Sequence, residues 1–216
     1  ITDKIQFAMS SAITSYGANY GWQLMNFPKA NQLLLNVPVN YGSTQQQYVQ
    51  NNITQAWCNY TGWNANCWEL LNDNLYFGSS TFVGHAWNGT TDNGASIPGL
   101  AIQSFQTYGT ATEKQCKMIR YHFLTDGVPM LFGDVNADYD LSDHSAALTA
   151  TAPNYGIWDT SVWDSGLWGG SLVPSAVWQG ATGIGYSFAP FLKTATQGIQ
   201  VEWVASDLVF EAGGIL

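Results

Sequence analysis

Residues 46–87, QQYVQNNITQAWCNYTGWNANCWELLNDNLYFGSSTFVGHAW, alternate short aromatic and β-branched runs with clusters of Asn, Asp and Gly. No other stretch limits the fold as tightly. The runs at 46–50, 55–60, 67–71, 75–77 and 82–87 read as strands. Between them Asn51-Asn52, Thr61-Gly62, Asn72-Asp73-Asn74 and Gly78-Ser79-Ser80 supply side chains that tolerate tight backbone geometry. Strands recurring every ~8–12 residues leave no room for the helical crossovers that parallel sheets require. The fold class that follows is all-β.

The ladder extends upstream. Runs at 21–27 and 32–37 join 46–50 and 55–60 as a four-stranded antiparallel meander, and ~40 residues of meander is the size of one propeller blade. Residues 67–87 add three strands, most of a second blade. Before it, Ile5, Met9 and Ile13 give residues 1–16 a loose helical spacing that Ser, Thr and Gly weaken. Asp92-Asn93-Gly94 marks a boundary, so the expected domains are 1–95, blades of an incomplete β-propeller, and 96–216, a small antiparallel β-sandwich. Strands of the second are expected at 99–108, 114–125, 128–140, 182–192, 198–205 and 208–212, with Asp126-Gly127 as a hairpin turn. Residues 146–181 interrupt it with Pro153, Pro174, many Gly and a tryptophan repeat. A loop of that length is expected to pack on something.

Composition narrows the function. Of 216 residues 10% are charged, against 14% aromatic, so the core can be large without disulfide staples and the surface is polar but weakly charged. That suits a subunit fixed in an assembly. The formal net charge is −9 with no basic run, which argues against binding nucleic acid by counterion release. Cys58, Cys67 and Cys116 are read as buried thiols rather than a bridge plus one, and no CxxC pair suggests a metal. No apolar run approaches the ~18–20 residues of a membrane span. Sequons at Asn52, Asn59 and Asn88 carry little weight in a chain rich in Asn and Thr.

Motifs with chemical content are few. Asp134, Asn136, Asp138 and Asp140 alternate as in a calcium loop, but Tyr139 and Ser145 stand where Gly and Glu belong, and strand alternation gives the same spacing. His144 lies beside Asp143 and between Ser142 and Ser145, without a nucleophile elbow. His85 and His122 sit in strands beside aromatics and read as core-edge residues that hydrogen-bond locally. Glu69, Asp73, Glu113 and Glu202 offer carboxylates for glycoside hydrolysis, but no spacing selects a pair. The chain is accordingly read as a non-enzyme without cofactor or metal. Trp158-Asp159, Trp163-Asp164 and Trp168-Gly169 repeat with period five, which neither helix nor strand places on one face. Successive turns that tuck each indole inward and let Asp cap the next turn fit better, and Trp158, Trp163 and Trp168 become the candidate interface. Stacking of exposed indoles on sugars is the alternative.

Asn26-Phe27-Pro28 leading to Leu33-Leu34-Leu35-Asn36-Val37-Pro38, then Gln47-Tyr48-Val49-Gln50-Asn51, Thr54-Gln55-Ala56-Trp57-Cys58, Leu75-Tyr76-Phe77-Gly78, the Trp-Asp repeat, Gly183-Ile184-Gly185 and the glycines of 198–214 carry a resemblance. Over most of its length the chain resembles the C-terminal part of head-to-tail hub, stabilisation or nozzle proteins of short-tailed bacteriophages. The resemblance implies the last blades of a β-propeller followed by a β-sandwich, with the missing blades upstream of Ile1. It implies a ring homo-oligomer, hexameric, near the portal in the virion tail. The ring would contact neighbouring tail or adaptor subunits and let DNA pass through its lumen without specific binding, with no membrane involved. An acidic wall suits that passage, so acidic residues are expected to line the lumen. The alternatives are a carbohydrate-binding module or secreted glycosidase fragment, and a receptor-binding adhesin at a tail tip.

Overall fold

A computed structural model describes residues 3–40, 42–143, 147–153, 155–156, 159, 161–164 and 169–213. Thirteen strands and one α-helix of ordinary length lie among them, so the protein is all-β. It divides into two compact units, Ile1–Asn88 and Gly89–Leu216.

The first unit opens with α1 (Gln6–Tyr16), where the spacing had left helix undecided; Ala12 is its buried residue. Strands β1 (Gln23–Phe27), β2 (Gln32–Asn40), β3 (Thr44–Asn51) and β4 (Trp57–Thr61) form the expected antiparallel meander in sequence order. β2 runs past Pro38, because β1 pairs no farther along it than Asn36 and the missing N–H forfeits no ladder bond. β5 (Cys67–Leu71), β6 (Asn74–Gly78) and β7 (Val83–His85) make a second antiparallel sheet. Asn72 and Asp73 both have positive φ, as a two-residue hairpin twisted with its strands requires. The two sheets share one core of Phe27, Leu34, Val49, Trp68, Leu75 and Phe77, with the Trp63 ring 4.9 Å from Trp87 and 5.6 Å from Trp68.

A polar network crosses that core. Asn36 is fully buried, and its Nδ2 donates to Gly21 O (2.9 Å) and Ala65 O (3.1 Å). Its Oδ1 accepts from Gln47 Nε2 (2.9 Å) and Trp68 Nε1 (3.1 Å). Gln23 on β1 treats Trp68 on β5 as a neighbouring strand would: Nε2 donates to Trp68 O and Oε1 accepts from Trp68 N, both at 2.7 Å. Amides that composition assigns to the surface are here inside, along with Gln45 and Gln50.

In the second unit β8 (Ile97–Ile102), β10 (Met130–Ala137) and β12 (Phe188–Thr196) form one antiparallel sheet in the order β10-β12-β8. β9 (Lys114–Thr125), β11 (Val173–Gly185) and β13 (Val201–Ala212) form another in the order β11-β9-β13. Their inner faces meet over Cys116, Ile119, Tyr121, Phe123, Val135, Ala181, Phe188 and Leu192. Tyr121 reaches between the sheets to donate to Phe191 O at 2.6 Å, and a Cβ on Gly133 would stand 2.1 Å from its ring, so only glycine admits it there. Along one flank side chains do the work of a missing strand. Gln179 Oε1 accepts from Gly133 N, its Nε2 donates to Leu131 O (3.3 Å), and Asp134 Oδ1 accepts from Thr182 N (3.0 Å).

Three expectations change. Asp126-Gly127 is no hairpin, since β9 pairs with β11 and β13 whereas β10 pairs with β12. Neither residue takes the positive φ of a hairpin turn. Instead Tyr155 Oη donates to Asp126 O (2.9 Å) and Gln200 N to Asp126 Oδ1 (2.7 Å), which fixes a corner between sheets. The 146–181 interruption ends early, because β11 starts at Val173 and carries Pro174 on an edge strand, where proline forfeits no ladder bond. The strands expected at 198–205 and 208–212 are one strand, β13, whose register shifts at Trp203/Ala205 and Val209/Phe210 absorb the irregularity.

Candidate functional site

The outer face of the β11-β9-β13 sheet carries a compact ion cluster of the second unit. Strand alternation sends Cys116, Ile119, Tyr121 and Phe123 of β9 inward and Arg120, His122 and Leu124 outward. A register shift opposite Cys116 and Met118 turns both Lys117 and Met118 out. Arg120 stands between Trp178 of β11 and Asp207 of β13, and His122 between Ala176 and Ala205. The face is therefore striped: uncharged Pro174, Ala176, Trp178 and Ile184 on β11, basic side chains on β9, and Glu202, Asp207 and Glu211 on β13.

At its centre Asp207 Oδ2 accepts from Arg120 Nε (2.8 Å), Arg120 Nη2 and His122 Nε2 (2.8 Å). The bonds from His122 and then Arg120 hold the Asp207 carboxyl below the usual carboxylate range. The Arg120 guanidinium also lies 4.8 Å from the centre of the Trp178 ring, a cation–π contact. Beside this cluster an open trough of about 520 Å³ is floored by small side chains, Ala176 and Ala205, between Leu124, Pro174 and Val204.

Asp207, the carboxylate of the cluster, is already bonded to Arg120 and His122, and these partners lie on an open sheet rather than in a closed cleft. Among the described residues no group of three His, Cys, Asp or Glu side chains gathers as a metal set. The calcium-like acids are spent on backbone. Asp138 Oδ1 accepts from Tyr186 N (2.8 Å) and Ser187 N (2.9 Å), Asp140 Oδ1 accepts from Ser142 N (2.9 Å), and Asn136 is turned toward Asp140 O (2.8 Å). The bonds from Ser187 and Tyr186 hold Asp138 below the usual carboxylate range, with buried Lys114 nearby contributing.

Of the sequence candidates, Trp163 stands in a turn and is 66% exposed rather than tucked inward. Trp158, Trp168, His144 and Ser145 lie outside the described residues. His85 stacks on Tyr76 with ring centres 4.6 Å apart, while His122 joins the ion cluster instead of a core edge. Cys58 and Cys67 are exposed free thiols, against expectation: Cys67 alternates with core Trp68 and so faces the outer side of its sheet, while Cys58 shares the inner face with Val49 but lies on the edge strand β4; Cys116 is buried. Glu69 and Asp73 belong to the first unit and Glu113 and Glu202 to the second. Arg120, Trp178 and Asp207 escaped the sequence reading, since up to 87 residues separate partners that only strand pairing brings together. The outward pair Arg120 and His122, two residues apart on a strand, was the available signal.

No protein-family model, curated protein or solved structure matches the chain. No helix among the described residues is long and apolar enough to cross a membrane.

Proposed function

We propose that this protein is a structural subunit of a tailed-bacteriophage head-to-tail assembly, a hexameric ring around the DNA exit channel that contributes to genome retention and release. The observation that carries the reading is the bare outer face of the β11-β9-β13 sheet. Trp178, Met118, Val209, Ile184 and Val204 are all between 41% and 62% exposed there. Several large apolar side chains standing exposed on one sheet face, around a paired ion cluster, fit a surface that is buried in an assembly. The meander of β1 to β4 followed by the β5 to β7 sheet supports reading the first unit as propeller blades. The two three-stranded sheets sharing one core support a sandwich for the second. The net charge of −9 suits a channel wall from which DNA slides free.

The test is immunogold labelling of intact particles with antibody raised against this chain. Gold confined to a ring beneath the capsid supports the subunit reading. Gold at the distal tip, or none on particles, overturns it. The exposed Trp163 indole favours a second reading, a glycan- or receptor-binding module, and glycan-array binding lost in Trp163→Ala would move the function there.

A further inference from the structure

We propose that Asn88 is a site of spontaneous backbone modification: its side chain closes on the amide nitrogen of Gly89 to a succinimide, which water opens to aspartate or isoaspartate. Three dipeptides of the chain place glycine after a residue open to this reaction, Asn88-Gly89, Asn93-Gly94 and Asp126-Gly127. Glycine favours it because no Cβ shields the attacking nitrogen. The reaction also needs a glycine N–H free to give up its proton and a side chain free to swing onto that nitrogen. The fold grants both at one of the three. Asn93 and Gly94, with φ of 48° and 84°, form the tight loop between the bridged residues Asp92 and Ala95. There Gly94 N donates to Thr91 Oγ1 (3.2 Å), and Gly94 O accepts from Gln197 Nε2. At Asp126-Gly127, Gly127 N donates to Thr125 Oγ1 (3.2 Å) and the Asp126 carboxylate accepts from Gln200 N (2.7 Å). Asn88 and Gly89 are both exposed, and among the described residues neither the Gly89 N–H nor the Asn88 side chain has a hydrogen-bond partner. The space beside Gly89 is open, since a Cβ there would meet nothing within 4 Å. The chain is anchored on either side instead, by Ala86 N to Leu75 O (2.9 Å) and by Gly198 N to Thr90 O (3.0 Å).

The reaction balances with water alone. Gly89 N gives up its proton and bonds to Asn88 Cγ; the Cγ–Nδ2 bond breaks, and the side-chain nitrogen leaves with that proton as ammonia. Water then opens the ring. Addition at Cγ gives aspartate, and addition at the main-chain carbonyl carbon of residue 88 gives isoaspartate, whose peptide link runs through Cβ and Cγ. Both products carry a carboxylate where the amide was, so the chain gains one negative charge beyond its net −9. Isoaspartate also lengthens the main chain by one carbon, at the residue where the first unit ends. Asn88 lies in no strand and outside the core cluster of its unit, so the conversion proceeds without unfolding. The modification stands whether or not the chain forms a ring.

The experiment is incubation of the full chain in mildly alkaline buffer, then peptide mapping by mass spectrometry with electron-transfer fragmentation, which separates aspartate from isoaspartate at each position. Releasing Gly94 N from Thr91 slows Asn93 roughly fivefold by the ordinary worth of one hydrogen bond, and the bridged turn adds to this. Asn88 is therefore expected to convert at least about tenfold faster than Asn93 in the folded chain. In denaturant the two Asn-Gly pairs are equivalent and are expected to convert within about threefold of each other. Thr91→Val, which keeps the side-chain shape but removes the acceptor, is expected to speed Asn93 roughly fivefold and leave Asn88 unchanged. Asn88→Gln is expected to abolish product at that position, because the longer side chain would have to close a larger ring. Circular dichroism and the melting temperature verify the fold of both variants. If Asn88 converts no faster than Asn93 in the folded chain, or converts only after unfolding, the site is overturned. If Thr91→Val leaves the rate at Asn93 as it was, the hydrogen-bond basis for choosing among the dipeptides is overturned.

Discussion

Replacing Asn36 by Leu, of similar size but without polar atoms, tests whether the core network holds the two sheets of the first unit together. The change deletes four hydrogen bonds of 2.9 to 3.1 Å. Gln47 Nε2 keeps Trp63 O at 2.9 Å, but Gly21 O, Ala65 O and Trp68 Nε1 each lose the Asn36 partner. At about 1 kcal/mol per net bond, and more for a buried group left unmade, the loss is roughly 3–5 kcal/mol, offset by about 1 kcal/mol from the added apolar surface. A net of about 3 kcal/mol is a large share of a typical domain's stability and speeds amide exchange from the open state by roughly a hundredfold. Hydrogen-exchange mass spectrometry reads this in peptides covering β2 and β3, with β9 in the other unit as internal reference. Exchange within about threefold of native, equivalent to less than about 0.7 kcal/mol, would refute the argument. Asn36→Asp adds a check on sign. It aims an oxygen instead of an N–H at Gly21 O and Ala65 O, and burial raises the introduced carboxyl's folded pKa above its unfolded value of about 4. Its penalty is therefore full at neutral pH and shrinks as pH falls through the raised value, where the protonated group can donate again.

Gly133→Ala drives a methyl into the fully buried Tyr121 ring and is expected to cost about 1–3 kcal/mol in urea unfolding, with the loss largely cancelled in a Tyr121→Ala background. Asp138, depressed by its bonds from Ser187 and Tyr186, contributes stability that is present above the unfolded carboxylate pKa and lost as pH falls through the lower folded one. Melting of Asp138→Ala should therefore show a shallower acid dependence below about pH 4 than the native chain, and an unchanged slope would sink the assignment. Burial pushes the Cys116 thiol up to about 11 and raises that of Cys58 too, but Cys58 and Cys67 both remain open to solvent. A thiol-specific chromogenic reagent at pH 8 should titrate two sulfhydryls in the folded protein and three in denaturant.

The meander was legible because its turns declare themselves locally. Asn72-Asp73 can hold positive φ, and the runs on either side alternate with period two, so the β5–β6 hairpin falls where the residues put it. The partition of strands between sheets was not legible. Asp126-Gly127 has the composition of a hairpin, but Thr125 is paired on both sides, with Val173 and Val201, so β10 has no place beside β9. That competition is tertiary and leaves no mark near residue 126. β11 was hidden for the opposite reason, since Pro174 and its glycines speak locally against a strand that pairing nonetheless sustains at a sheet edge. The ion cluster failed to appear because its geometry belongs to three strands at once.

The low charge of this chain has a cause within the fold itself. Joining two sheets through their flanks needs side chains that donate and accept at the spacing of a backbone, and an amide does both while remaining neutral. Gln23 does this for Trp68, Gln179 for Leu131 and Gly133, and Asn36 for both sheets of the first unit. A carboxylate could serve only the accepting half and would have to be desolvated as an ion, which costs several kcal/mol more. Where acids do take part, as Asp134 with Thr182 N and Asp138 with Ser187 N, they stay at the rim, bond backbone N–H groups and keep access to water. Scarcity of charge is therefore partly a requirement of the interior. The apolar side chains left exposed on the β11-β9-β13 sheet, Trp178, Met118, Val209, Ile184 and Val204, surround the Arg120–Asp207 pair, where an acid does meet a cation, and it does so at the surface.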